Sequence, residues 1–137
     1  MTTAHAEQRS NVVRVYLDPS AVFVRIGDGE EPVLAPDAPA ALHDLADTGL
    51  EAVLINPDVA QLPPALERLA GADDVDPTVT GWIITGDRHR CEQRYPQLRI
   101  VLVGGGPAAD NGRQRCDAES PDLRGAVLHI MSREAMP

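Results

Sequence analysis

Four short apolar runs, each closed by a polar or turn-forming residue, constrain this chain more than any other feature: "VRVYLD" (13–18), "AVLI" (52–55), "GWIIT" (81–85) and "RIVLV" (99–103). Near-continuous runs of this length predict strands buried on both faces, the pattern of a parallel sheet. The segments between them have helical spacing. From Asp37, a good N-cap, Ala38, Ala41, Leu42, Leu45 and Ala46 recur on one helical face, and Gly49 follows as a stop. Val59, Leu62, Leu66, Leu69 and Ala70 predict a second helix, whose regular part Pro63 and Pro64 push toward its C-terminal side. "GADDVDPTVT" (71–80) reads as a loop, and a short polar helix is predicted around residues 89 to 96. After Ser120, Leu123, Val127, Ile130 and Met131 mark a final amphipathic helix. "VFVRIG" and "PVLAP", around Asp28-Gly29, predict a hairpin directly after Asp18. Strands alternating with helices imply an α/β fold with a parallel sheet covered on both faces.

A chain of 137 residues fits one domain, and a single domain over residues 12–137 is expected. Only four residues are Phe, Tyr or Trp, so the core must come from Val, Leu, Ile and Ala. The net charge of −9 argues against nucleic acid as a partner, because the phosphate interaction that dominates such binding would be repulsive. All twelve formal positive charges are arginine, which removes every lysine-dependent reaction. The start, "MTTAHAEQRSN" (1–11), is polar and is expected to be a disordered lead-in rather than a signal peptide. No run approaches the roughly 18 apolar residues of a membrane helix. A cytoplasmic chain without membrane association is the expectation, and Cys91 and Cys116 are then expected as reduced thiols.

An early strand ending in Asp18, an immediate hairpin, the helix "PDAPAALHDLADTG" (36–49) and a later strand ending in Gly86-Asp87 resemble the haloacid dehalogenase-like (HAD) superfamily over about residues 12 to 131. The resemblance implies a Rossmannoid three-layer sandwich on which a nucleophilic aspartate attacks a phosphoryl group with Mg²⁺ support. Asp18-Pro19-Ser20-Ala21-Val22 stands where the family has Asp-x-Asp-x-Thr/Val, so Asp18 holds the nucleophile position and Ser20 that of the general acid. A hydroxyl is a poor proton donor to a leaving group at neutral pH. Asn56, after the second strand, stands where the family has Ser or Thr to bind a phosphoryl oxygen, and its amide can still donate. The family's lysine or arginine has no counterpart between Arg68 and Arg88, which leaves Arg88 as the substitute cation. Gly86-Asp87-Arg88-His89-Arg90-Cys91 keeps one metal carboxylate, Asp87, and has cysteine where the family often has the second. Asp18 and Asp87 are therefore the candidate Mg²⁺ ligands. The hairpin over about residues 22 to 35 and the stretch from Asn56 to Trp82 are too short for a cap domain, which implies a capless core.

Losing a general acid removes about 10²–10⁴ in rate, and losing a fixed cation at a developing phosphoryl charge removes about 10² more. The leading expectation is thus a catalytically impaired HAD-like domain that binds or regulates, with a protein partner or a second copy of the chain. The alternatives are a capless Mg²⁺-dependent phosphohydrolase that forms an aspartyl-phosphate on Asp18, and another Rossmann-type binding domain. "VLVGGGPAAD" (101–110) lacks the apolar helix that a dinucleotide site needs after its glycines. His89, Cys91 and Cys116 lack zinc-site spacing. His43 is expected to face solvent, and Trp82 to be core or an anchor at an interface.

Overall fold

Strand β1 (Arg14–Leu17) occupies the middle of a six-stranded sheet, between β4 (Glu51–Ile55) and β6 (Gly81–Thr85). The computed structural model describes residues 13–24, 33–56, 63–67, 69–93, 95–104 and 116–135. The lead-in, the Asp28-Gly29 turn, Val59, Leu62, Gly105 and Gly106 fall outside them. Beyond β4 lies β5 (Ala70–Ala72), and beyond β6 lie β7 (Leu98–Val103) and β8 (Ala118–Ser120). Every neighbouring pair is parallel, with Leu17 opposite Leu54 on one side and Ile84 on the other. The order β5-β4-β1-β6-β7-β8 puts the strands that carry Asn56, Asp18 and Asp87 side by side. The chain is an α/β protein with a Rossmann-like parallel sheet.

The period of two along each strand divides the core. Val15, Leu17, Leu54, Trp82, Ile84 and Val101 face one way, where α2 (Ala38–Ala46) and α3 (Leu123–Ala135) cover them with Ala38, Ala41, Leu42, Leu45, Leu123, Ala126, Val127 and Ile130. Tyr16, Val53, Ile55, Ile83, Ile100 and Leu102 face the other way. There, among the described residues, Val75, Val79, Cys91 and Tyr95 from irregular chain and a 3-10 turn provide the cover. The expected helix over 89 to 96 is reduced to that turn, Arg88–Glu92. The buried Tyr16 hydroxyl accepts the Asp76 amide (3.0 Å) and fixes the crossover 73–80 against this face.

The second predicted helix is also corrected. A 3-10 turn at Pro64–Leu66 precedes β5, which takes Ala70 to Ala72 into the sheet. Pro63 and Pro64 donate no backbone N–H, and Ala70 and Ala72 pair instead with Val53 and Ile55. The hairpin after Asp18 is present as β2 (Phe23–Val24) antiparallel to β3 (Val33–Leu34), preceded by a one-turn helix, α1 (Pro19–Val22). No helix among the described residues is long and apolar enough to cross a membrane.

Asp37 precedes α2 as the spacing predicts, but its side chain does not cap that helix. Its Oδ2 accepts the Arg124 amide (2.9 Å) in the first turn of α3, while Asp122 Oδ1 accepts the Gly125 amide (2.8 Å). Two carboxylates therefore satisfy the amino end of α3, one of them supplied by another helix. Arg124 Nε also bonds Asp44 of α2 (3.2 Å). At the other end of α3, Trp82 Nε1 donates to Glu134 Oε2 (2.7 Å) and the indole meets the His129 ring edge-on at 5.8 Å. Asp37→Ala is expected to cost about 0.5–2 kcal/mol in urea unfolding, with Asp37→Asn, which keeps an acceptor oxygen, losing less.

Candidate functional site

Asp18 leaves the C-terminal end of β1 in extended conformation, and Pro19 starts α1 at the one helical position where a missing N–H costs nothing. Asp18 Oδ1 accepts the Ser20 amide (3.1 Å) and so caps α1. The carboxylate is thus both the turn residue and a strand-end acid. Its amide donates to the Ile84 carbonyl (2.9 Å), which brings Thr85, the last residue of β6, alongside.

Thr85 is fully buried, and its hydroxyl is the hub of the site. Oγ1 donates to Asp18 Oδ2 (3.2 Å) and accepts the Asp87 amide (3.0 Å). Since that proton is committed to Asp18, the 3.1 Å contact with Ser20 Oγ has Ser20 as donor. Ser20 Oγ in turn accepts the Gly86 amide (2.9 Å). Protons therefore run in one direction, from Gly86 to Ser20 to Thr85 to Asp18. Gly86 is required by the close approach of α1, because a Cβ there would overlap the Ser20 carbonyl oxygen.

The cation against Asp18 is Arg90. Its Nε lies 3.1 Å from Asp18 Oδ2, and the two side chains are only 17% and 13% exposed. Its Nη1 reaches Asp74 Oδ1 (3.5 Å) on the crossover and Gln93 Oε1 (3.3 Å). Burial alone would lower the Arg90 pKa, but the charge of Asp18 and the hydrogen bond to it outweigh burial, so the net shift is upward. Arg88 turns the other way and pairs with Glu119 of β8 (3.3 Å). Asp87 is exposed, and its Oδ1 accepts the His89 amide (2.9 Å) to cap the 3-10 turn. Asn56 lies exposed at the same sheet end, its backbone N–H donating to the Ala72 carbonyl (2.8 Å). Of the residues singled out from sequence, Asp18 and Ser20 belong to one network, which Asp87 joins through its backbone.

These residues as arranged do not fit Mg²⁺. The ion takes oxygen ligands in near-octahedral geometry, yet Asp18 Oδ2 already receives a guanidinium and a hydroxyl proton. A metal would have to displace Arg90. No group of three or more His, Cys, Asp or Glu among the described residues is placed to hold a metal.

Cys91 and Cys116 form a disulfide, with Cα atoms 5.0 Å apart, and this corrects the expectation of reduced thiols. The cause is β8. Ala118–Ser120, for which the sequence predicts no strand, pairs with β7, so two cysteines 25 residues apart meet on the same side of that strand.

Thr85 and Arg90 are the site residues that sequence reading misses. Thr85 had a signal: it shares the face of Ile83, so a polar side chain falls where the strand pattern buries one. Comparison with protein families and with curated proteins finds no match to this chain. Thr85→Val would leave the Ser20 hydroxyl and the Asp87 amide without their acceptor. It is expected to lower stability by about 1–3 kcal/mol in urea unfolding, with Thr85→Ser recovering most of the loss.

Proposed function

We propose that this chain is a HAD-like domain whose phosphoryl-transfer centre is impaired and which acts by binding or regulation. The observation that carries this reading is the state of Asp18 Oδ2, engaged by both Arg90 and Thr85. In-line attack on phosphorus needs a free lone pair directed at the substrate, and these two donors compete for it. Ser20, at the general-acid position, has its proton committed to Thr85, a second reason for weak leaving-group protonation. A strand-end aspartate followed by a one-turn helix and then a hairpin supports the HAD-like ancestry. A protein partner or a second copy of the chain is the proposed ligand of the open sheet end, in the cytoplasm. Val24 and Val33, paired across the hairpin and each about two-fifths exposed, offer apolar surface beside it.

The phosphohydrolase alternative requires Arg90 to leave Asp18, so that Asp18 and Asp87 can take Mg²⁺ and Asp18 can accept a phosphoryl group. Hydrolysis of p-nitrophenyl phosphate with Mg²⁺ and thermal unfolding with Mg²⁺ and beryllium fluoride separate the two readings. The impaired domain is expected to hydrolyse no faster than Asp18→Asn and to gain no stability from the phosphoryl mimic. A gain of about 2.7 kcal/mol at 100 times Kd, abolished by Asp18→Asn, would establish the phosphohydrolase instead.

A further inference from the structure

We propose that Cys91 and Cys116 form a thiol–disulfide switch that controls whether Arg90 stays on Asp18. The switch regulates the site described above and rests on the reading of Asp18 as its centre.

Arg90 and Cys91 are consecutive residues of the Arg88–Glu92 turn. Short 3-10 segments have poor hydrogen-bond geometry and depend on outside support. Side-chain tethers leave this turn at Arg88, paired with Glu119 of β8, and from the adjacent positions Arg90 and Cys91, as the ion pair to Asp18 and the disulfide to Cys116. The far end of the disulfide is a fixed post. Asp117, next to Cys116, exchanges two bonds with Ile100 of β7, its amide to the carbonyl (3.0 Å) and its Oδ2 from the amide (2.7 Å). The covalent link therefore clamps the turn to the sheet and holds the neighbouring guanidinium against the carboxylate. Without it, Cys91 has no covalent anchor and depends on its burial and on the non-covalent contacts of the turn, such as the Arg88–Glu119 pair.

The bond is also reachable. A cavity of about 60 Å³ lined by Cys91, Cys116, Gln93 and Tyr95 opens beside it. Cys91 is buried and Cys116 is partly exposed, so Cys116 Sγ is the sulfur open to attack. A thiolate of a small dithiol bonds to Cys116 Sγ while the Cys91–Cys116 bond breaks, and the bonding pair leaves on Cys91 Sγ, which takes a proton from water. The second thiolate of the dithiol then attacks its own sulfur in the mixed disulfide, closes a cyclic disulfide and releases Cys116 as a thiolate. Two electrons pass from the dithiol to the protein. A low-molecular-weight disulfide drives the reverse exchange. A reversible pair of this kind reconciles the disulfide with a reducing compartment, where the structural kind is rare.

The test uses the full chain labelled with ¹⁵N-arginine and follows the hydrogen exchange of the Arg90 Nε–H by NMR. One sample is oxidised, its disulfide verified by an intact mass lower by two hydrogens. The other is reduced with dithiothreitol. Reduction is expected to speed Arg90 exchange at least about tenfold, as local opening does, while Arg14, paired with Glu51 far from the turn, is unchanged. Cys116→Ser is expected to exchange at the reduced rate under both conditions, and Asp18→Asn to be fast in both. Equal protection of Arg90 in the two redox states would overturn the proposal, as would cysteines that do not pair in oxidised glutathione. No metal or phosphate enters this readout, so its failure leaves the impaired-site reading standing. Binding of the beryllium fluoride mimic, read in a separate titration, would overturn that reading, and the comparison of Arg90 exchange between redox states is made without metal or fluoride and stands apart from it.

Discussion

The pairing of β1 with β4 on one side and β6 on the other is the constraint from which the rest of the molecule follows. It buries Val15, Tyr16 and Leu17 on alternate faces and sets Leu17 level with Ile84. The next positions along the two strands must then meet, so the carboxylate of Asp18, just past β1, faces the hydroxyl of Thr85, the last residue of β6. A one-residue slip would turn Thr85 to the opposite face and leave Asp18 beside an apolar side chain. The same register sends the chain into α1 at Pro19, where the cap on Ser20 fixes the carboxylate's other oxygen. Both oxygens of Asp18 are thus positioned by backbone geometry before any ligand is considered.

The Asp18 carboxylate has its counter-ion within the fold. Arg90 lies between Asp18 and Asp74, and a guanidinium with planar, forked donors suits that bridging position. A protein with net charge −9 and no lysine must use its twelve arginines for any such pairing. A half-buried ion pair contributes little net stability when intact, yet removing one partner strands the other charge. The Arg90 pair therefore fixes the geometry of Asp18 more than it stabilises the fold.

How much was legible in the sequence depended on whether side chains or backbone define an element. The central strands are apolar on both faces and were read almost to the residue, as was α2, whose buried Ala38, Ala41, Leu42 and Leu45 carry its period. β5 and β8, "AGA" and "AES", offer only small alanine side chains to the core, too little to mark a strand, and pair with β4 and β7 through backbone hydrogen bonds. Missing β8 also hid the disulfide, since nothing else brings Cys116 to Cys91. Arg88 and Arg90 are chemically equal in sequence, and choosing between them requires the local helix type. At about 120° per residue in a 3-10 turn, two positions apart point in different directions, one to Glu119 and the other to Asp18. Asp37 precedes α2 as its sequence position predicts, but its partner, 87 residues away, is a product of tertiary packing.

That long reach from Asp37 to Arg124 bears on how the chain is made. The ribosome releases β1, α2, β4, β6 and β7 before α3, and domains assemble largely in the order of their synthesis. Until Leu123, Ala126, Val127 and Ile130 emerge, much of the apolar face around Trp82, Ile84 and Val101 lacks its cover, and the Asp37 carboxylate has no helix end to receive. The nascent protein therefore passes through a stage in which a nearly complete sheet shows one greasy side to the cell. Its exposure to chaperones and to aggregation ends only with the arrival of α3.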